Sequence, residues 1–279
     1  MNYITKNNIS YTCDFGSQMM EYASLFALSK KIGHEVLFFK ENIHNRFGLP
    51  LVEPFVNPAK VISLYDITDP KTVPLSKDAI KYIDILNPNL NYDSIDIIGI
   101  YLNFHDIQNE IINLFEFNEQ IKTFSRNYIN TLKQNNEILI SIHFRLADYI
   151  QNASLHLNMN YYIEACNYMS AKYKNIKFLI FSNDINWCKN NIQGNCIFVE
   201  NLNRFQDMCI MSMCDHNIIA NSTFSWWGAY LNQSINKEVI CPYYYVNDKN
   251  INDSINGKYY PREWIALKNQ PDFNYRNTL

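Results

Sequence analysis

Residues 141–149 read SIHFRLADY and close an apolar run, Glu137-Ile-Leu-Ile-Ser-Ile, that spells a short buried strand. His143, Arg145 and Asp148 fall where that run ends. In open α/β sheets, ligands sit in the crevice beyond the carboxyl ends of the strands. An always-charged planar guanidinium at such an end suits a phosphate or a carboxylate. His143 and Arg145 are two residues apart, so extended backbone puts them on one face. The same residues also allow a plainer role, an Arg145–Asp148 ion pair that only pins a loop.

Outward from this stretch the second half of the chain alternates. Strands are expected at 138–144, 177–181, 196–200, 217–220 and 239–241. Helices are expected between them, at about 159–173, just after 183–184, 204–213 and 224–231. This βα rhythm predicts a parallel, doubly wound sheet. Polar residues recur at the strand ends: His143 and Arg145, then Asn183 and Asp184, then Asn221, Ser222 and Thr223. In such a topology those ends share one edge, which favours a binding crevice over unrelated ion pairs.

The first half opens as a βαβ unit. A strand is expected at 9–13, a turn at Asp14-Phe-Gly-Ser, a helix over 17–32 and a strand at 35–40. Ser17 is placed to cap the helix and Gly33 to end it. The helix start at Ser17 and Gln18 would favour an anion or polar ligand atoms. Residues 44–75 carry Pro50, Pro54, Pro58, Pro70 and Pro74 and read as loop-rich. A strand at 97–101 and helices at 106–117 and 119–134 lead back to the opening stretch. The boundary is placed there, giving domains 1–133 and 134–279.

Composition sets the outer bounds. Hydrophobic residues make 47% and charged residues 18% of the 279, which describes a folded chain with a real core. A net charge of −3 gives no basic field for nucleic acid or an anionic membrane. The seven Cys are scattered without a C-x-x-C pair, so no zinc site is expected. Cys166, Cys209, Cys214 and Cys241 lie among apolar residues and read as reduced thiols. No signal-peptide core opens the chain, and no run approaches the ~18–20 apolar residues of a membrane span. The expectation is a cytoplasmic protein without a transmembrane segment, with peripheral membrane association still open.

Residues 207–232, DMCIMSMCDHNIIANSTFSWWGAYLN, carry the most specific signal. This block, and NSTFSWWGA at 221–229 above all, resembles the signature of the α-1,2-fucosyltransferase family, glycosyltransferase family 11. Four other segments agree in order. FGSQMMEYA (15–23) is similar to the family's GLGNQMFQYA, and HFRLAD (143–148) resembles its H-x-R-R-x-D. FSNDINWC (181–188) resembles FSDD-x-x-W, and YPREW (260–264) resembles the closing YP-x-x-W.

The resemblance implies an α/β, GT-B-like fold of two Rossmann-like domains with mainly parallel sheets. It places an acceptor side in the first domain and the GDP-sugar in the second. It implies inverting transfer of L-fucose from GDP-β-L-fucose to a galactose hydroxyl, typically O2. The acceptor would be a galactose-terminated oligosaccharide, or a lipid- or polysaccharide-linked glycan. No metal or other cofactor is expected, and the sequence has no D-x-D carboxylate pair for one. The open alternatives are another GDP-sugar, another linkage, or a non-catalytic nucleotide- or glycan-binding relative.

By the same resemblance, Arg145 contacts the donor pyrophosphate and stabilises the leaving GDP. His143 contacts the nucleotide, and Asp148 binds, acts as base or holds Arg145. Ser222 and Thr223, after Asn221, would form an anion site opposite Arg145, or else a plain helix cap. Asp207 is similar to an acidic residue that takes the guanine edge. Asp184 would support the nucleotide pocket or cap a helix. Trp226 and Trp227 are expected to pack. Gln18 would touch donor or acceptor, and Asp14, Glu21 and Asp148 are the carboxylates available as base. Five positions depart from the family: Leu146 replaces the second Arg, Ser17 an Asn and Asn183 an Asp, and Asp14 and Glu21 differ from its usual residues.

Overall fold

The computed structural model describes residues 3–5, 15–33, 35–37, 60–63, 94–98, 104–133, 136–147, 149, 155–246 and 259–269. The chain divides into two compact units, 1–118 with 253–261, and 119–252 with 262–279.

In the first unit, β1 (Tyr3–Thr5), β2 (Glu35–Leu37), β3 (Lys60–Ser63) and β4 (Ser94–Ile98) form a sheet ordered β2-β1-β4-β3. Every pairing described in it is parallel. Helix α1 (Phe15–Ile32) crosses over from β1 to β2. It is buried nearly all round: Met19, Tyr22, Ala23 and Leu28 are fully covered. Gly33 follows it at φ 69°, the left-handed turn that ends a helix cheaply only for glycine. The expected strand at 9–13 lies outside the described residues. β4 begins three residues before the expected 97–101, and β3 falls within the stretch expected to be loop-rich.

In the second unit, α3 (Glu119–Leu132) precedes β5 (Ile138–Phe144), with the short α2 (Gln108–Leu114) lying before it in the first unit. The division therefore falls one helix earlier than the expected 133/134. The reason is packing: Ile129 of α3 is buried with Leu139 of β5, so the helix belongs to that core. Then follow α4 (Met159–Lys172), β6 (Ile176–Ser182), α5 (Ile185–Asn191), β7 (Cys196–Phe198) and α6 (Arg204–Ser212). β8 (His216–Ile218), α7 (Thr223–Tyr230), β9 (Val239–Pro242) and β10 (Ile265–Leu267) complete it. The sheet order is β10-β9-β8-β5-β6-β7, all parallel. Counted from its own first strand, this is the 3-2-1-4-5-6 order of dinucleotide-type sheets. Its switch point, where the winding reverses, lies between β5 and β8.

Two-residue periodicity sorts β5 between two cores. Ile140, Ile142 and Phe144 join α4 residues Tyr161, Tyr162, Ala165 and Met169. Leu139 on the other face joins Ile129, Ile210 and Met211 from α3 and α6. Covering a side chain such as Leu139 is worth about 1.5–3 kcal/mol, so a register slip would be costly. Ser141, on that second face, is held in a buried polar chain. Asn217 Nδ2 donates to Ser141 Oγ (2.7 Å) and Met211 O (2.8 Å), and Asn232 Nδ2 donates to Asn217 Oδ1 (2.8 Å). No helix among the described residues is long and apolar enough to cross a membrane.

Candidate active site

The parallel pairing of Ile142 with Ile218 brings the ends of β5 and β8 side by side. His143 is the last but one residue of β5 and is 4% exposed. Its ring lies 5.6 Å from that of Phe224, in the first turn of α7. Its carbonyl accepts from the Tyr162 hydroxyl (3.2 Å). Arg145 follows, half-buried, with its guanidinium 5.5 Å from the Tyr149 ring. The Tyr149 hydroxyl donates across the switch point to the Asn221 carbonyl (3.2 Å).

On the far side, β8 leads into α7. Tyr161 fixes this exit by donating to Ile219 O (2.7 Å) and Ile240 O (3.2 Å). Asn221 is 2% exposed. Its Nδ2 donates to Leu155 O (2.9 Å) and Tyr245 O (2.8 Å), tying two loops together, and its Oδ1 is buried and accepts no hydrogen bond. Ser222 has extended N-cap backbone, φ −130° and ψ 131°, but its hydroxyl makes no cap bond. The first helical bond of α7 runs from Trp226 N to Ser222 O (3.0 Å). The amides of residues 223–225 thus stand outside the helical ladder, at the positive end of the helix. Thr223 is the first helical residue and half-buried.

The structure gathers His143, Arg145, Asn221, Ser222 and Thr223 at one switch point. A cation, oriented amides and a hydroxyl at such a place make an anion site. Asp184 sits at the neighbouring β6 end, where its carboxylate accepts from Trp187 N (3.0 Å) and caps α5. Asp207 lies near the start of α6, and its Oδ1 is buried and accepts no hydrogen bond. Burial raises its pKa to about 7. Its desolvated carboxyl thus keeps an acceptor open to a donor from outside the fold. Gln18 and Glu21 lie in the first two turns of α1 in the other unit, half-buried and 6% exposed respectively. Asp14 and Asp148 lie outside the described residues.

Leu146 is 6% exposed and belongs to the core cluster with Phe144, Leu157 and Tyr162. Position 146 continues the even-numbered face of β5, so its side chain packs inward. Trp226 and Trp227 are 1% and 0% exposed and pack as expected. Trp226 stacks on Tyr230 (4.5 Å between centroids) and meets Trp264 (5.5 Å), so Trp264 completes the packing under α7. Gly228 lets α7 approach α6: an added Cβ would stand 2.9 Å from Met211 Cβ. Asn183 and Tyr149 also belong to the site by position; the sequence marked Asn183 as a strand-end polar residue without a role of its own and gave Tyr149 none. Asn183 Oδ1 accepts from Leu146 N (2.8 Å) and Ala147 N (3.3 Å). The signal available was its place at a strand end.

The profile of Glycosyl transferase family 11 matches residues 1–268 of this sequence. The chain belongs to glycosyl transferase family 11. Among relatives of this family-11 chain, an alpha-1,2-colitosyltransferase of Escherichia coli is 39% identical over 103 residues, covering 33% of this chain and 36% of that protein. The O-antigen biosynthesis glycosyltransferase WbnK of Escherichia coli is 37% identical over 145 residues, 47% of this chain and 48% of that one. Galactoside alpha-(1,2)-fucosyltransferase 1 of Bos taurus is 25% identical over 242 residues, 78% of this chain and 64% of that one. The chain thus spans from about a third to just under two thirds of the length of these relatives.

Solved structures agree on the fold. POFUT1 in complex with GDP-fucose superposes with a TM-score of 0.56 at 11% identity, covering 86% of this chain and 98% of that one. NodZ alpha-1,6-fucosyltransferase soaked with GDP-fucose gives 0.52 at 12% identity, covering 82% and 92%. The family-11 chain is accordingly a GT-B-like α/β protein with two parallel sheets, as its sequence led one to expect.

Proposed function

We propose that this family-11 chain transfers L-fucose from GDP-β-L-fucose, with inversion, to O2 of a terminal galactose on a glycan acceptor. The acceptor hydroxyl attacks the fucosyl anomeric carbon, the bond to the β-phosphate oxygen breaks, and GDP leaves. Arg145 and the amides at the start of α7 meet the charge that grows on the departing diphosphate. Asp207 takes the donor N–H groups of guanine. The acceptor's proton goes to a carboxylate, for which Asp14, Glu21 and Asp148 are the candidates. The leaving group has its positive partner in Arg145 and the sequence has no D-x-D pair, so the transfer proceeds without a resident metal. The enzyme works in the cytoplasm, at the membrane surface where the acceptor is lipid-linked.

One observation carries this function: the switch point of a 3-2-1-4-5-6 sheet is flanked by a cation at the end of β5 and by the start of α7 after β8. The test is transfer from GDP-fucose to a panel of galactosides, with linkage analysis of the product and a parallel run in EDTA. An α-1,2-linked product formed equally well in EDTA is expected. Activity lost in EDTA and restored by Mn²⁺ would overturn metal independence. GDP binding with no turnover on any acceptor would point to a non-catalytic relative. A second donor belongs in the panel, because a relative 39% identical over 103 residues is named for colitose. A higher kcat/KM with the colitosyl nucleotide would reassign the donor and leave the site intact.

A further inference from the structure

The loop that carries Arg145 is tied to both neighbouring strands, and the ties come from side chains with no contact role assigned above. From the β6 side, Asn183 Oδ1 accepts two consecutive backbone amides, Leu146 N at 2.8 Å and Ala147 N at 3.3 Å. From the β8 side, the Asn221 carbonyl accepts from the Tyr149 hydroxyl at 3.2 Å. Within the loop, Tyr149 N donates to Leu146 O (2.8 Å), closing a turn. Leu146 anchors the same turn below, at 6% exposure in the core. Residue 145 is thus followed by a peptide with fixed amides, a buried side chain and a closed turn, and its guanidinium rests 5.5 Å from the Tyr149 ring.

Arginine carries roughly 2 kcal/mol of side-chain rotamer entropy, so a diphosphate contact gains much from a backbone that already aims it. We propose that Asn183 is a positioning residue for the diphosphate: its carboxamide oxygen fixes the Leu146 and Ala147 amides and so aims Arg145, with Tyr149 as the second tie. This rests on the assignment of Arg145 to the donor diphosphate. In both of these bonds residue 183 is the acceptor. An Asp there offers the same lone pairs, whereas an Ala leaves two amides without their acceptor.

The experiment compares GDP with guanosine on the intact chain by calorimetry, because the diphosphate is what Arg145 would read. In Asn183→Ala the ratio of GDP to guanosine affinity should fall by about tenfold, with guanosine affinity changed by less than about twofold. Asn183→Asp should restore the ratio to within about threefold of the parent. A general loosening of the fold would weaken both ligands alike and would not be rescued by Asp. Equal weakening of the two ligands, or an unchanged ratio, overturns the proposal. Should Asn183→Ala not yield folded protein, Tyr149→Phe, which loses the hydroxyl and keeps the ring, must lower the same ratio, and no change in it overturns the proposal too. If the parent itself shows no preference for GDP over guanosine, or Arg145→Ala leaves that preference intact, the diphosphate assignment fails instead.

Discussion

The two ends of the six-stranded sheet use their polar groups differently. At the amino ends the charges are closed on one another. Asp215 pairs with Lys133 (2.9 Å) and accepts the Leu139 amide (2.8 Å). Lys177 meets Glu137 (2.5 Å), and Glu238 takes both Lys172 and the Tyr173 hydroxyl. His216 accepts the Glu238 amide at Nδ1 (3.0 Å) under the stacked Tyr173 ring (4.2 Å). At the carboxyl ends, beyond the exposed Lys189–Glu200 pair (2.6 Å), amide and phenol side chains tie loops to backbone. Buried acceptors on Asn221 and Asp207 are left without hydrogen bonds there. At one end the polar groups are bound to one another, and at the other two buried acceptors stay open. Buried polar groups without partners cost about 1–3 kcal/mol each, and a fold tolerates them where a ligand will fill them.

The sharpest way to break this contrast is to damage the closed end. Asp215→Ala removes the acceptor of the Leu139 amide, whose residue is fully buried, and the partner of Lys133. It should lower the unfolding free energy by about 2–3 kcal/mol in urea while leaving GDP affinity unchanged. A loss of GDP affinity with no loss of stability would erase the distinction between the two ends.

At the open end the expected effect is smaller and of opposite sign. Burial raises the Asp207 carboxyl to about 7 from 3.8, so the folded chain holds that proton more tightly than the unfolded chain. Its ionisation therefore begins to cost stability as pH climbs past 3.8, and the full cost is present above about 7. Asp207→Asn should stabilise the chain by on the order of 2 kcal/mol at pH 8 and by nothing at pH 3. The same variant should weaken GDP, and GDP should bind the parent less well as pH falls below 7. Melting curves at both pH values, with GDP titrations from pH 6 to 8, check this. A variant that is less stable at pH 8 would show Asp207 to be a structural carboxylate.

Much of the second unit was legible in the sequence because its signals are local. The run at 138–144 is apolar and bounded, and β5 spans those residues. Asn203 and Gln206 close a capping box at the start of α6, which fixes that helix. β10 was missed because three half-buried or exposed residues carry no periodicity, and its place comes from pairing with β9. The inward turn of Leu146 was readable in principle from its even number on β5. It appeared in the sequence only as a missing arginine, whereas the structure makes it an anchor of the Arg145 loop. The work of Asn183 was not readable, since it depends on two strands adjacent in space and 37 residues apart in the chain. The carboxylates proposed for the base include Asp14 and Asp148, which lie outside the described residues. Glu21 is buried on α1, a placement that amphipathic spacing alone did not give.

Arg145, set at the switch point beside the start of α7, is proposed to hold the diphosphate of the donor. Calorimetric titration of GDP into the parent and into Arg145→Ala tests it most directly. The account predicts GDP binding by the parent and a loss of at least about tenfold in affinity for the variant, whose melting temperature stays within a few degrees of the parent's. GDP binding of equal strength in the two proteins would contradict it.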